Sequence, residues 1–98
     1  MILEPATSSG AKTADAVIYA APAILQFIDI MPPAAGVATL KIYDHPSAAS
    51  GTLLATVEVA AGMNSVSVNL TTARRALTGL YADLTGTTTY IVGFSASF

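Results

Sequence analysis

The single histidine of the chain lies in Asp44-His45-Pro46-Ser47, which sets an acid, an imidazole and a hydroxyl within one short segment. Nucleophilic catalysis needs Ser, His and Asp to converge in space, with the acid orienting the imidazole. Neighbours on one loop rarely converge in that way, whereas Asp ahead of a turn and Ser after Pro are turn formers. The segment therefore reads as a structural turn. Asp29, Asp44 and Asp83 fall in or at the ends of separate apolar runs. A calcium ion would require all three to meet, and capping of strand ends is the simpler role. The chain has no cysteine, which removes disulfides and thiolate metal sites. Gly79-Leu80-Tyr81-Ala82-Asp83 is followed by strand residues, while a phosphate-binding glycine loop needs a helix after it. No catalytic residue, metal or cofactor is expected, and the chain reads as a non-enzyme.

Lys12, Lys41, Arg74 and Arg75 are the only cations, and only the last two are adjacent. Nucleic-acid binding needs clustered cations to neutralise phosphates, and a polybasic membrane surface needs the same; neither is expected. Met1 to Gly10 lacks a basic segment followed by an apolar run, so it does not read as a secretory signal. The Ala16–Met31 stretch is broken by Pro22, Gln26 and Asp29 and makes a poor transmembrane helix.

Apolar residues make up 53% of the 98 residues and charged residues 10%, against about 25% charged in ordinary soluble domains. A lone molecule with so few charges is poorly protected against association. Partner proteins are therefore expected to cover much of the surface.

The elements that would carry such a surface are strands. Residues 1–12 offer no periodicity and several turn formers, and read as a flexible N-terminal arm; residues 13–98 read as one domain. From Asp15 the chain is a series of short apolar runs: Asp15–Ala20, Ile24–Met31, Val37–Asp44, Leu53–Val59, Ser65–Leu70, Leu80–Leu84 and Thr88–Phe94. Turn signals separate them, including Pro32-Pro33-Ala34-Ala35-Gly36 and Ala61-Gly62-Met63-Asn64. Val66, Val68 and Leu70 alternate with Ser65, Ser67 and Asn69, and a step of two returns a side chain to the same sheet face. Leu53, Ala55, Val57 and Val59 form a similar face, with Leu54 as the exception. Thr71–Leu77 is the one helical candidate, of one or two turns. Short strands with turns about every ten residues predict an all-β fold, an antiparallel β-sandwich, jelly-roll-like, of seven or eight strands.

The second run is apolar on both faces, Ile24, Gln26, Ile28 and Ile30 on one and Leu25, Phe27, Asp29 and Met31 on the other. A strand of that kind is covered on both sides: one by the core and the other, in this reading, by a neighbouring subunit. Ile24, Phe27, Phe94 and Phe98 are the candidate anchors of apolar contact with partner proteins. Arg74 and Arg75 are candidates for bidentate pairing with a partner's carboxylates. Tyr19, Tyr43, Tyr81 and Tyr90 most simply fill the sandwich and its rims, with a sugar-stacking platform as the alternative.

Leu40-Lys41-Ile42-Tyr43-Asp44, then Ser47-Ala48-Ala49-Ser50-Gly51-Thr52-Leu53-Leu54, Gly79-Leu80-Tyr81-Ala82-Asp83 and Tyr90-Ile91-Val92-Gly93-Phe94 together resemble a pattern of small virion structural proteins of tailed bacteriophages. The resemblance covers about residues 13–94; the Arg74-Arg75 segment and the Pro32-Pro33 turn are not part of it. It implies a capsid decoration or cement protein, assembled in the host cytoplasm and carried on the virion. The implied partners are the major capsid protein or other virion proteins, and the implied state is a homo-oligomer, a trimer in the favoured case. No residue-level role comes with the resemblance. The alternative is a head-fibre, neck or tail module that contacts a receptor or carbohydrate.

Overall fold

A computed structural model describes residues 7–95, the side chains of 71–73 excepted. The elements are β1 (Thr7–Ser8), β2 (Ala16–Tyr19), β3 (Ala23–Ile30), β4 (Val37–Asp44), β5 (Thr52–Ala60), β6 (Val66–Ala76), β7 (Leu80–Thr85) and β8 (Tyr90–Ser95). They form two four-stranded sheets, sheet A in the order β1-β8-β3-β6 and sheet B in the order β2-β7-β4-β5. Every pairing is antiparallel. The pairs β4·β5, β3·β6, β2·β7 and β1·β8 are nested, as in one long hairpin. Rolling that hairpin on itself adds the contacts β8·β3 and β7·β4, which is the connectivity of an eight-stranded jelly roll.

Alternation explains which faces meet. In β4, Ala38, Leu40 and Ile42 are fully buried while Val37, Thr39, Lys41 and Tyr43 point outward. Leu80 and Ala82 of β7, Val57 and Val59 of β5, and Tyr90 and Val92 of β8 complete the same core with Leu25, Ile28 and Ile30 of β3. Each large aliphatic chain buried in this way contributes about 1.5–3 kcal/mol.

Three bulges correct the faces expected from simple alternation. Both ladders of β3 shift register between Leu25 and Phe27. An extra residue reverses the parity of a strand. The buried set is consequently Ala23, Leu25, Ile28 and Ile30, and the outward set includes Ile24, Phe27 and Asp29. In β5 the register shifts opposite Ile42 and Tyr43, so Leu54 turns into the core and Leu53 turns out, 47% exposed. In β6 the partner of Leu25 is Arg74 and that of Phe27 is Asn69. The strand thus accommodates several extra residues where a short helix was expected over Thr71–Leu77. A helix of one or two turns has a costly nucleus, and the edge of β3 offers backbone partners instead.

The expected boundary between arm and domain also moves. Thr7 and Ser8 pair with Phe94 and Gly93, and Lys12 bridges to Tyr90. Ser9 N–H donates to the Val92 carbonyl at 2.8 Å, and its hydroxyl accepts from Val92 N–H at 2.9 Å. Backbone pairing needs no hydrophobic pattern, so this two-residue strand left no periodicity to read. Residues 1–6 of the expected arm lie outside the described residues.

Candidate binding surfaces

The Asp44–Ser47 segment is built as a joint between loops. Asp44 ends β4, and its carboxylate reaches the β6–β7 turn. Oδ2 accepts from Leu77 N–H at 2.9 Å, and Oδ1 accepts from both Thr78 N–H and the Thr78 hydroxyl at 2.9 Å. Partial desolvation pushes the Asp44 carboxyl up, but the hydrogen bonds from Leu77, Thr78 and Gly79 outweigh it and hold the group below its ordinary value. His45 Nδ1 accepts from Ser47 N–H at 3.1 Å and Ala48 N–H at 3.0 Å. An acceptor Nδ1 carries no proton to give Asp44, so the acid–imidazole relay of a catalytic triad is not formed. Gly79 lies beneath this loop: a Cβ there would stand 2.7 Å from Pro46 Cα and 2.8 Å from the Tyr19 carbonyl oxygen.

The three aspartates weighed as calcium ligands lie apart. Asp29 accepts a hydrogen bond from the Ser67 hydroxyl on sheet A. Asp83 lies opposite Lys41 on the outer face of sheet B. Among the described residues no cluster of three potential ligands is present. Tyr90 is interior, its hydroxyl donating to the Ala14 carbonyl at 2.6 Å, and the half-buried Tyr19 packs against Phe94 with ring centroids 5.1 Å apart.

The candidate anchors separate into different environments. Phe94, expected at an interface, is a core residue 5% exposed. It follows Tyr90 and Val92 at two-residue steps and so shares their inward face. Ile24 and Phe27 do lie on the outer face of sheet A, half-buried, with Ile24 opposite Arg75 and Ser95. Arg74 turns within its own chain, donating from Nη1 to the Leu54 carbonyl at 3.3 Å across the open edge between β6 and β5. Arg75 is exposed. Phe98 lies outside the described residues.

A larger feature than any expected anchor occupies sheet B. Val17 pairs with Tyr81, Tyr81 with Tyr43, and Tyr43 with Leu53. The four side chains form one row across all four strands of the outer face, about 14 Å long at the usual strand spacing. Its ends are open, Val17 being 44% and Leu53 47% exposed. The next row holds Asp83, Lys41 and Thr56, so an opposite-charge pair borders the apolar strip. The outward position of Tyr43 was legible from its alternation with Leu40 and Ile42. That of Leu53 was not, because it depends on the bulge.

Among the described residues no helix is long and apolar enough to cross a membrane. The chain matches no known family model, no curated protein and no solved structure.

Proposed function

We propose that the chain is a structural virion protein of a tailed phage, which decorates or cements the capsid by apolar contact. The observation that carries the reading is the Val17–Tyr81–Tyr43–Leu53 row on the outer face of sheet B. Aromatic side chains at the centre of a surface patch, with a polar border, are the composition of interface cores. The scarcity of charge, 10% of residues, supports the same reading, as does the sequence resemblance to phage virion proteins. A jelly roll by itself implies no function. A standard contact buries about 1,600 Å² in total, and repetition over a symmetric shell raises modest single affinities through avidity.

The test is co-sedimentation of the purified chain with empty phage heads, together with its copy number in intact particles. Saturable binding at a copy number comparable to that of the shell subunits supports decoration. A copy number of a single ring points to a neck or tail position. Failure to bind heads, with a stable monomer at high concentration, removes the proposal.

The second reading, a carbohydrate-contacting module, draws on Tyr43 and Tyr81, which stand side by side with Asp83 and Lys41 in the adjoining row. Binding of defined glycans by the isolated chain, abolished by Tyr81→Ala, would favour it over decoration.

A further inference from the structure

Away from the tyrosine row, the outer face of sheet A carries a depression of about 270 Å³ at the end where β3, β6 and β8 meet. We infer that this depression is a socket for one basic side chain, lysine or arginine, presented by a partner protein. Three features of the site carry the inference.

The first is size. Pockets for drug-sized ligands run from about 300 to 1,000 Å³, whereas one water occupies about 30 Å³. A volume between those limits suits a single long side chain. The second is the wall. Met31 and Ile91 supply apolar surface for a methylene stem. Met31 is held in place through its backbone, which donates to the Thr89 carbonyl at 3.0 Å and accepts from the Thr88 hydroxyl at 2.5 Å. The third is charge. Asp29 is the one ionisable carboxylate among the lining residues, and its ladder neighbours are the neutral Ser67 and Ile91. The Ser67 hydroxyl donates to Oδ1 and fixes the carboxylate. A carboxylate offers about four acceptor positions, so one hydroxyl leaves capacity for an incoming ammonium or guanidinium. An open apolar hollow with one oriented anion in its wall is complementary to a cation on an apolar stem, and to neither a bare ion nor a neutral hydrocarbon.

The test titrates the full chain, followed by nuclear magnetic resonance, with three probes: N-acetyl-arginine methylamide, its lysine counterpart, and its norleucine counterpart, which keeps the stem and lacks the charge. The Met31 and Ile91 methyl groups and the Asp29 and Ser67 amides report the site. The expected result is local shifts with a basic probe bound about twofold to fivefold more tightly than norleucine, as a partly exposed ion pair gives. That preference is expected to fade with salt and to vanish in Asp29→Asn. Equal binding of norleucine would reduce the site to an apolar hollow and overturn the inference. So would shifts centred elsewhere, or none up to about 50 mM probe, beyond the millimolar range of weak binding. The ranking of probes on the unmodified chain decides the matter even if Asp29→Asn fails to fold. It is also independent of whether the chain binds phage heads.

Discussion

Phe27 and Gly93 face each other across the β3–β8 ladder, and the ring of Phe27 occupies the space in which a side chain at 93 would stand. A Cβ built on Gly93 would lie 1.8 Å from Phe27 Cε2 and 2.1 Å from Cδ2. The glycine is thus required by close approach, and the ring in turn shields backbone that glycine leaves bare. Gly93→Ala is expected to destabilise the fold by about 1–3 kcal/mol, the usual cost of overpacking. In a Phe27→Ala background the same change should cost little. Urea unfolding of the two single variants and the double variant measures the coupling, expected at about 0.5–3 kcal/mol. Additive effects would show that the ring and the glycine do not depend on each other.

Asp44 makes stability depend on acid. Its carboxyl is held below its ordinary value in the fold. Its contribution is therefore fully present above the unfolded value, about 3.9, and is lost as pH falls through the lower folded value. At neutral pH, Asp44→Asn is expected to cost about 1–2 kcal/mol, in keeping with hydrogen bonds to a charged group. The difference between variant and parent should narrow below about pH 4. Denaturation curves taken across that range check it, and a gap that stays constant into strong acid would contradict the assignment.

Tyr90 acts at the opposite end of the scale. Burial, with the nearby charges of Asp15 and Tyr81, pushes its phenol up to about 12. The neutral form is the one the fold favours. Its contribution is complete below the unfolded value, about 10, and is lost as pH rises through the folded value near 12. Tyr90→Phe removes the bond to the Ala14 carbonyl and is expected to cost about 1–2 kcal/mol at neutral pH. Between the two alkaline values it should lose less further stability than the parent. Spectrophotometric titration should lose its latest-ionising tyrosine in this variant, and an unchanged titration would refute the prediction.

Much of this architecture was legible because its signal is local. Val37–Asp44 alternates without interruption, and the strand has those bounds. Bulges are set by the partner strand, which sequence periodicity does not contain. The parity of Ile24–Met31 therefore changed at Gln26, and Leu53 and Leu54 exchanged faces. The same applies to Arg74–Ala76, whose strand state is owed to pairing with β3 rather than to its own pattern. Phe94 departs from the expectation for another reason: it alternates with Tyr90 and Val92 and so points inward, and an aromatic ring suits a core as well as an interface. The tyrosine row and the Asp29 depression needed strand order, since each gathers residues from three or four strands.

Arg74 guards an edge. Among the described residues β5 closes one side of sheet B, bonded to β4 alone. Thr52–Ala60 contains no Pro or Lys and only one charge, Glu58, so it lacks the devices that blunt edge-to-edge pairing. The Arg74 guanidinium occupies the Leu54 carbonyl on that side. Arg74→Ala is expected to change unfolding stability by no more than about 0.5–1 kcal/mol while increasing concentration-dependent association. Light scattering measures the association, with Arg74→Lys as the control that keeps a donor. Scattering identical to that of the parent would mean the edge needs no guard at this carbonyl.

The row on sheet B allows a sharper separation of fold from function. Leu53 and Tyr43 point away from the core, and their neighbours Leu54 and Ile42 already fill it. Placing a lysine at either position puts a hydrated charge within the strip without disturbing the interior. Leu53→Lys and Tyr43→Lys are therefore expected to fold with stabilities within about 1 kcal/mol of the parent. A charge buried unpaired at an interface costs several kcal/mol, so affinity for phage heads should fall at least about tenfold, or 1.4 kcal/mol. Thr56→Lys, in the row beyond Tyr43 on the same sheet, is the matched control and should bind nearly as well as the parent. If all three variants sediment with heads as the parent does, sheet B faces solvent in the particle, and the contact has to be sought on Ile24, Phe27 and the outer face of sheet A.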